Sequence, residues 1–280
     1  MRLHGKQVVL TGASGGIGSA LCAQLVKRGA TVLAVGRSRE RLQRLAMQAP
    51  SGQVVPVVAD LASAEGRQHL REQAQAHTPS SLILAHAQSA FGMFEGQSEA
   101  DLQRLLETNL TAPMLLLNAL LPILQRQPQA SVVAIGSTFG SLGFPGFSAY
   151  SASKFGLRGL FEALAREYAD RPVEFLYLSP RATRTPFNNA AVEALNHELK
   201  VAQDDPEVVA ASLADAIERG DRRLQIGWPE KLFARINGVL PSLVDGSLRK
   251  QLAVVRRHAG TTVADPLSHG EPHHETSPSP

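Results

Sequence analysis

A serine, a tyrosine and a lysine near the middle of the chain have the types and spacing for proton transfer to and from oxygen. The apolar run Val132 to Ile135 leads into Gly136-Ser137-Thr138, and Tyr150-Ser151-Ala152-Ser153-Lys154 begins thirteen residues after Ser137. Phe155, Leu157, Leu160, Phe161 and Leu164 recur at helical spacing, which puts Tyr150 and Lys154 on one face at i,i+4. An ammonium beside a phenol favours the phenolate and draws its pKa down from about 10. A tyrosine tuned that way can give or take a proton near physiological pH. Ser137 could donate a hydrogen bond to a substrate oxygen as negative charge develops on it. Taken alone, a Tyr–Lys pair is also what an ordinary helix surface carries, so its weight comes from the rest of the chain.

The second chemical feature is Thr11-Gly12-Ala13-Ser14-Gly15-Gly16-Ile17-Gly18, which follows the first apolar run and opens a helical stretch. Glycines there allow a tight turn, close approach of backbone to a phosphate, and close helix–strand packing. The helix start offers free N–H groups and the positive end of its dipole to a pyrophosphate. The spacing is not G-x-G-x-x-G, and a lone glycine-rich loop would be a weak signal; position between a strand and a helix makes it a dinucleotide site. Gly12, Ser14, Gly16, Ile17 and Gly18 are the candidate contacts. The second strand ends in Val35-Gly36-Arg37-Ser38-Arg39, without the acid that would accept from an NAD ribose. Arg37 and Ser38 offer donors to a 2′-phosphate instead, favouring NADP(H) over NAD(H).

The elements that must position these groups alternate in kind. Short β-branched runs (Val8 to Leu10, Thr31 to Val35, Val54 to Ala59, Leu82 to Ala85, Ser131 to Ile135, Val173 to Leu178) alternate with helical stretches such as Ile17 to Arg28 and Asp101 to Leu124. Uninterrupted apolar strands imply a sheet covered on both faces, so the expected fold is α/β with a doubly wound parallel sheet. Pro56 suits an edge strand or a strand start. The 280 residues are 44% hydrophobic, which excludes a disordered chain. A net charge of +3 with scattered basic residues gives no nucleic-acid footprint. The single Cys22 excludes an internal disulfide framework. No run reaches transmembrane length, and the start leads directly into a strand, so a soluble cytoplasmic protein is expected.

At these residues the chain resembles the short-chain dehydrogenase/reductase family. Thr11 to Gly18 resembles its TGxxxGxG turn, Tyr150 to Lys154 its YxxxK motif, and Asp60 the aspartate that contacts adenine. Asn109 and Ser137 match the asparagine and serine of its catalytic tetrad. The resemblance covers roughly residues 5 to 230. It implies a seven-stranded parallel sheet, a homodimer or homotetramer, Tyr150 as general acid/base, and Lys154 on the nicotinamide ribose. It also implies Ser137 orienting the carbonyl, Asn109 holding a water, and cofactor contacts from Leu61, Ala87, Pro180 and Thr183. Two motifs depart from the family's pattern. Its NAG appears as His86-Ala87-Gln88, where Gln88 could narrow the approach to the cofactor and His86 reads as structural. Its PG appears as Pro180-Arg181, which could place a cation at the mouth of the substrate site, with Thr183 and Thr185 beside it.

Residues 1–229 are read as the catalytic domain, 230–258 as an amphipathic helical extension broken at Pro241, and 259–280 as a disordered tail whose His269, His273 and His274 lack fixed metal geometry. Phe187, Ala190, Ala191, Val192, Leu195 and Leu199 could line an apolar pocket. The extension is read as a subunit contact or pocket lid in preference to peripheral membrane attachment. The expected activity is NADP(H)-dependent reduction of a carbonyl, or oxidation of the alcohol, on a lipophilic small molecule. The alternatives are an NAD-dependent alcohol dehydrogenase and a non-catalytic dinucleotide-binding regulatory module.

Overall fold

The computed structural model describes residues 3–228 and 230–260. Six apolar runs form parallel strands: β1 (Gln7–Thr11), β2 (Thr31–Gly36), β3 (Val54–Val58), β4 (Ser81–Leu84), β5 (Ala130–Ile135) and β6 (Val173–Ser179). A short β7 (Arg223–Gln225) completes a seven-stranded sheet in the order β3-β2-β1-β4-β5-β6-β7. β3 is an edge strand, so Pro56 removes no hydrogen bond that a further strand would need. The helices are α1 (Gly16–Lys27), α2 (Arg39–Gln48), α3 (Ala64–His77), α4 (Glu99–Leu106), α5 (Ala112–Leu124), α6 (Ser148–Glu167), α7 (Ala190–Glu198) and α8 (Pro206–Arg219). Beyond β7 come α9 (Glu230–Val239) and α10 (Pro241–Gly260).

Side chains alternate across the strands into two cores. Val8, Leu10, Val32 and Ala34 face α1 and α8, with Leu21, Leu25, Leu213 and Ile217 buried there. Val9, Leu33, Val35 and Val132 face the opposite layer, with Leu70, Leu116, Leu120 and Phe161. Both faces are dry, which is why the strands read as continuous apolar runs. Cys22 lies in the first core, where burial pushes its thiol up to about 11 and keeps it protonated. A third cluster sits beyond the strand ends and joins Phe91, Phe147 and Tyr150 to Val192 and Leu195 of α7 and to Val255 and Ala259 of α10.

Strand order reverses between β1 and β4, where an open parallel sheet leaves a crevice at the carboxyl ends of its strands. The turn after β1 and the His86 segment after β4 meet there. The long stretch expected from Asp101 to Leu124 is interrupted: α4 passes through a π-helical turn, Glu107–Thr111, into α5. At the C-terminus the boundary of the expected tail moves. Ala259 and Gly260 belong to α10, and Ala259 is buried against the third cluster. The remainder of that segment, with His269, His273 and His274, lies outside the described residues. Among the described residues no helix is long and apolar enough to cross a membrane, and no group of three or more His, Cys, Asp or Glu could hold a metal.

Candidate active site

The glycine turn wraps the C-terminal end of β1. Gly12 has φ +66°, and a Cβ there would lie 2.7 Å from the His86 backbone nitrogen, so both conformation and space require glycine. Cβ atoms on Gly16 and Gly18 would run into Thr185 and the Gly12 carbonyl. Gly15 is the N-cap of α1 and no side chain caps the helix, which leaves its first N–H groups directed at the crevice. A backbone cradle at an uncapped helix start fits a dinucleotide pyrophosphate. Gly12, Ser14, Gly16, Ile17 and Gly18 all line one continuous cleft of about 810 Å³, together with Arg37, Asp60, Leu61, Ala87, Ser137, Tyr150, Lys154, Pro180 and Thr183.

Ser38, expected beside the cofactor, and Asn109, expected to hold a water, make other contacts. The Ser38 hydroxyl accepts from the Arg41 backbone N–H at 3.3 Å as the N-cap of α2, and Ser38 does not line the cleft. Arg41, which the sequence reading missed, does line it beside Arg37. The signal was available: once Ser38 is recognised as a cap, Arg41 falls in the first turn of α2, beside the end of β2. Asn109 is buried behind the cleft wall. Its Oδ1 accepts from the Gln88 N–H at 2.7 Å, and its Nδ2 donates to the Gln88 carbonyl at 2.9 Å and to Ser153 Oγ at 3.1 Å. Ser153 Oγ in turn donates to the Tyr150 carbonyl at 2.7 Å. The π turn thus clips the Gln88 backbone and braces the helical turn that carries Tyr150.

His86 is joined to the end of β1 through Thr11. Thr11 Oγ1 accepts from the Ala85 N–H at 3.1 Å and can donate its only proton to the Ile83 carbonyl at 3.2 Å. Thr11 Oγ1 and His86 Nδ1 share a hydrogen bond at 2.7 Å whose donor is set by the imidazole tautomer. Burial, helped by the Lys154 charge and opposed by Asp60, pushes His86 down to about 4, so the ring is neutral. His86 is accordingly a fastener between β1 and β4.

Tyr150 and Lys154 emerge from the first turns of α6, and both line the cleft. Lys154 Nζ lies 5.7 Å from the centre of the Tyr150 ring and donates to the Ile135 carbonyl at 3.3 Å. The expected drop in the tyrosine pKa is not found. Burial pushes Tyr150 up to about 12, a hydrogen bond with Ser137 offsetting part of that rise, while burial pulls Lys154 down to about 8. Desolvation dominates as the phenol sits among rings: Phe139, Phe147 and Phe187 have centroids 6.3, 6.4 and 6.1 Å from it. Behind them Tyr177 donates to the Lys154 carbonyl at 3.1 Å, with Gly136 and Gly140 packed against its ring. The Ser137 loop and α6 are thereby held to β6.

Phe144, Phe187, Val192, Leu195 and Leu199 give the cleft an apolar stretch, joined by Phe233 of α9 and by Val244 and Leu248 of α10, with Asn188, Asn196, Lys200, Ser247 and Gln251 set among them. Ala190 is exposed, and neither it nor Ala191 reaches the cleft, contrary to expectation. Gln88 lines the cleft with its backbone bound to Asn109. The Thr183 hydroxyl donates to the Arg181 carbonyl at 3.0 Å. Arg181 offers no free cation at the mouth, because its guanidinium is committed to Asp204, Glu230 and the Trp228 carbonyl.

A short-chain dehydrogenase family model matches residues 6–196. The 3-oxoacyl-[acyl-carrier-protein] reductase FabG of Thermotoga maritima is 28% identical over 197 residues, covering 69% of this chain and 80% of its own length. A short-chain dehydrogenase structure from Streptomyces avermitilis superposes with a TM-score of 0.74 at 30% identity, covering 90% of this chain and 98% of that one. A Burkholderia cenocepacia short-chain dehydrogenase in complex with NADP shares the fold, with a TM-score of 0.76 at 20% identity, 89% of this chain and 99% of that one being covered. The chain belongs to the short-chain dehydrogenase family and is an oxidoreductase of that family.

Proposed function

We propose that the protein reduces a ketone on an apolar small molecule with NADP(H), Tyr150 giving the proton to the carbonyl oxygen. The observation that carries this reading is the position of the Tyr150 phenol. It stands where the glycine-turn cleft opens into a chamber walled by Phe139, Phe144, Phe147 and Phe187. A bound nicotinamide dinucleotide would supply the hydride. The chain does the rest: Ser137 holds the substrate oxygen, Tyr150 protonates it, and Lys154 carries positive charge beneath the ring. Burial keeps the phenol protonated, the form that can give a proton to a carbonyl oxygen.

Preference for NADP(H) rests on Arg37 and Arg41 at the adenosine end and on the absence of an acid in Gly36-Arg37-Ser38-Arg39. The apolar stretch of the cleft and the ketoacyl activity named for the Thermotoga relative together favour a 3-oxoacyl or other long-chain ketone. Leu106, Met114, Leu115 and Phe155 are exposed on α4, α5 and α6, and we assign them to contact with a second copy. The residues divide in this reading into a catalytic unit that ends before residue 230 and the α9–α10 extension. The test is a series of ketones and 3-oxoacyl thioesters of graded chain length, read by NADPH absorbance. The expected result is kcat/KM rising with chain length; a flat or falling series contradicts the substrate class.

A further inference from the structure

Arg181 follows β6 directly, yet its side chain binds residues far along the chain. Nε and Nη2 form a fork on the Asp204 carboxylate at 2.8 and 2.6 Å. Nη1 donates to the Trp228 carbonyl at 3.1 Å and lies 3.8 Å from Glu230 Oε2. The aliphatic stem rests on Gly227, whose φ is +100° and where a Cβ would sit 2.6 Å from Arg181 Cδ. Asp204 is held by its backbone as well, its N–H donating to the Ala182 carbonyl at 2.9 Å and its carbonyl accepting from the Arg184 N–H at 3.0 Å. One planar guanidinium therefore ties the end of β6, the base of the loop that carries α7, and the start of α9.

Those tied segments bear the apolar wall. α7 contributes Val192 and Leu195, α9 contributes Phe233, and α10 contributes Val244 and Leu248. At the opposite end Glu198 of α7 pairs with Arg257 and, at 2.8 Å, with His258 of α10. The side chains of Arg181, Asp204 and Glu230 are only 19%, 18% and 20% exposed, so water screens this cluster less than the rim pairs. With two carboxylates around one guanidinium, the spot has no surplus positive charge to offer an anionic substrate group.

We infer that Arg181 is a specificity-determining positioning residue, fastening the α7 loop to the α9–α10 hairpin so that together they form the binding wall for the apolar part of the substrate. This rests on the proposed ketone reduction but not on its chemical step, since Arg181 touches no reacting atom. Losing the fastener removes binding to the substrate tail in ground state and transition state alike, which raises KM and leaves kcat nearly unchanged.

The experiment compares wild type, R181G, R181K and D204N with NADPH on a short water-soluble ketone and on a long-chain 3-oxoacyl thioester. Limited trypsin digestion of the same proteins provides a readout independent of turnover. R181G and D204N should raise KM for the long substrate roughly tenfold or more, with kcat and the short-ketone constants within about threefold. R181K should fall between, because lysine cannot fork. Trypsin should cut the α9–α10 hairpin faster in R181G and D204N. Equal losses on both ketones, or unchanged long-substrate KM with unchanged digestion, overturns the inference. Should wild type reduce neither ketone, the proposed activity falls, and the digestion rates alone then decide the fastening: faster cutting upholds it and unchanged cutting overturns it.

Discussion

Lys154 and Tyr150 sit one helical turn apart with the ammonium 5.7 Å from the phenol ring centre, yet the ammonium donates to the Ile135 carbonyl and not to the phenol oxygen. The two groups interact across the ring face, at a separation where a cation and an aromatic quadrupole attract. Burial dominates both. It keeps the phenol protonated and makes the ammonium easier to deprotonate than a lysine in water.

That arrangement has a consequence for stability against pH. Lys154 in the folded protein titrates at about 8, below its ordinary 10.5, so the unfolded chain binds this proton more tightly. The stability contribution is present above the unfolded pKa and lost as pH falls through the folded one. Lys154→Met should therefore raise the melting temperature of nucleotide-free protein near neutral pH. A rise of roughly 2–4 °C per kcal/mol is expected for a chain of this size. The advantage should shrink as pH rises from about 8 toward 10.5. Differential scanning calorimetry across that window checks it.

Arg37 and Arg41 line the cleft beside the end of β2, where the proposed reading puts the adenosine 2′-phosphate. Replacing either by alanine should weaken NADPH binding about tenfold and leave NADH binding within about threefold, since each removes a charge-assisted contact to the 2′-phosphate alone. Fluorescence titration of the two nucleotides measures the ratio. Parallel losses for both nucleotides would show that these arginines do not read the phosphate.

Asn109 satisfies both backbone groups of Gln88 and joins them through Ser153 to the Tyr150 turn. Asn109→Ala leaves the part-buried N–H and carbonyl of Gln88 without these partners, at about 1–3 kcal/mol for each group that water does not reach. The midpoint of urea unfolding should fall accordingly. Turnover should fall too, through the loosened support of Tyr150, whereas a surface substitution such as Glu99→Ala should change neither.

What could be read from the chain was what lies close together in it. Gly12 to Gly18 and Tyr150 to Lys154 are local patterns whose geometry follows from one turn or one helix. The strands were visible because both faces are buried, while β7, with Arg223 and Gln225 around Leu224, has too little apolar character to announce itself. Asn109 and Arg181 were visible as residues, but their contacts were not, because their partners lie 21 to 49 residues away and are fixed only by the fold. The direction of the Tyr150 shift failed for the same reason: Phe139, Phe147 and Phe187 desolvate it from separate segments, and no local spacing reveals that. α10 was read as a subunit contact or pocket lid, and what local spacing could not show is that its Val255 and Ala259 pack in the cluster that contains Tyr150.

The most direct test is Tyr150→Phe, which removes one oxygen from the phenol. NADPH binding by fluorescence and NADPH oxidation with a 3-oxoacyl thioester are measured on the same preparation. The expected result is a dissociation constant within about threefold of wild type and a kcat lower by roughly 10²–10⁴. A phenylalanine protein that binds NADPH and turns over at the wild-type rate contradicts Tyr150 as the proton donor.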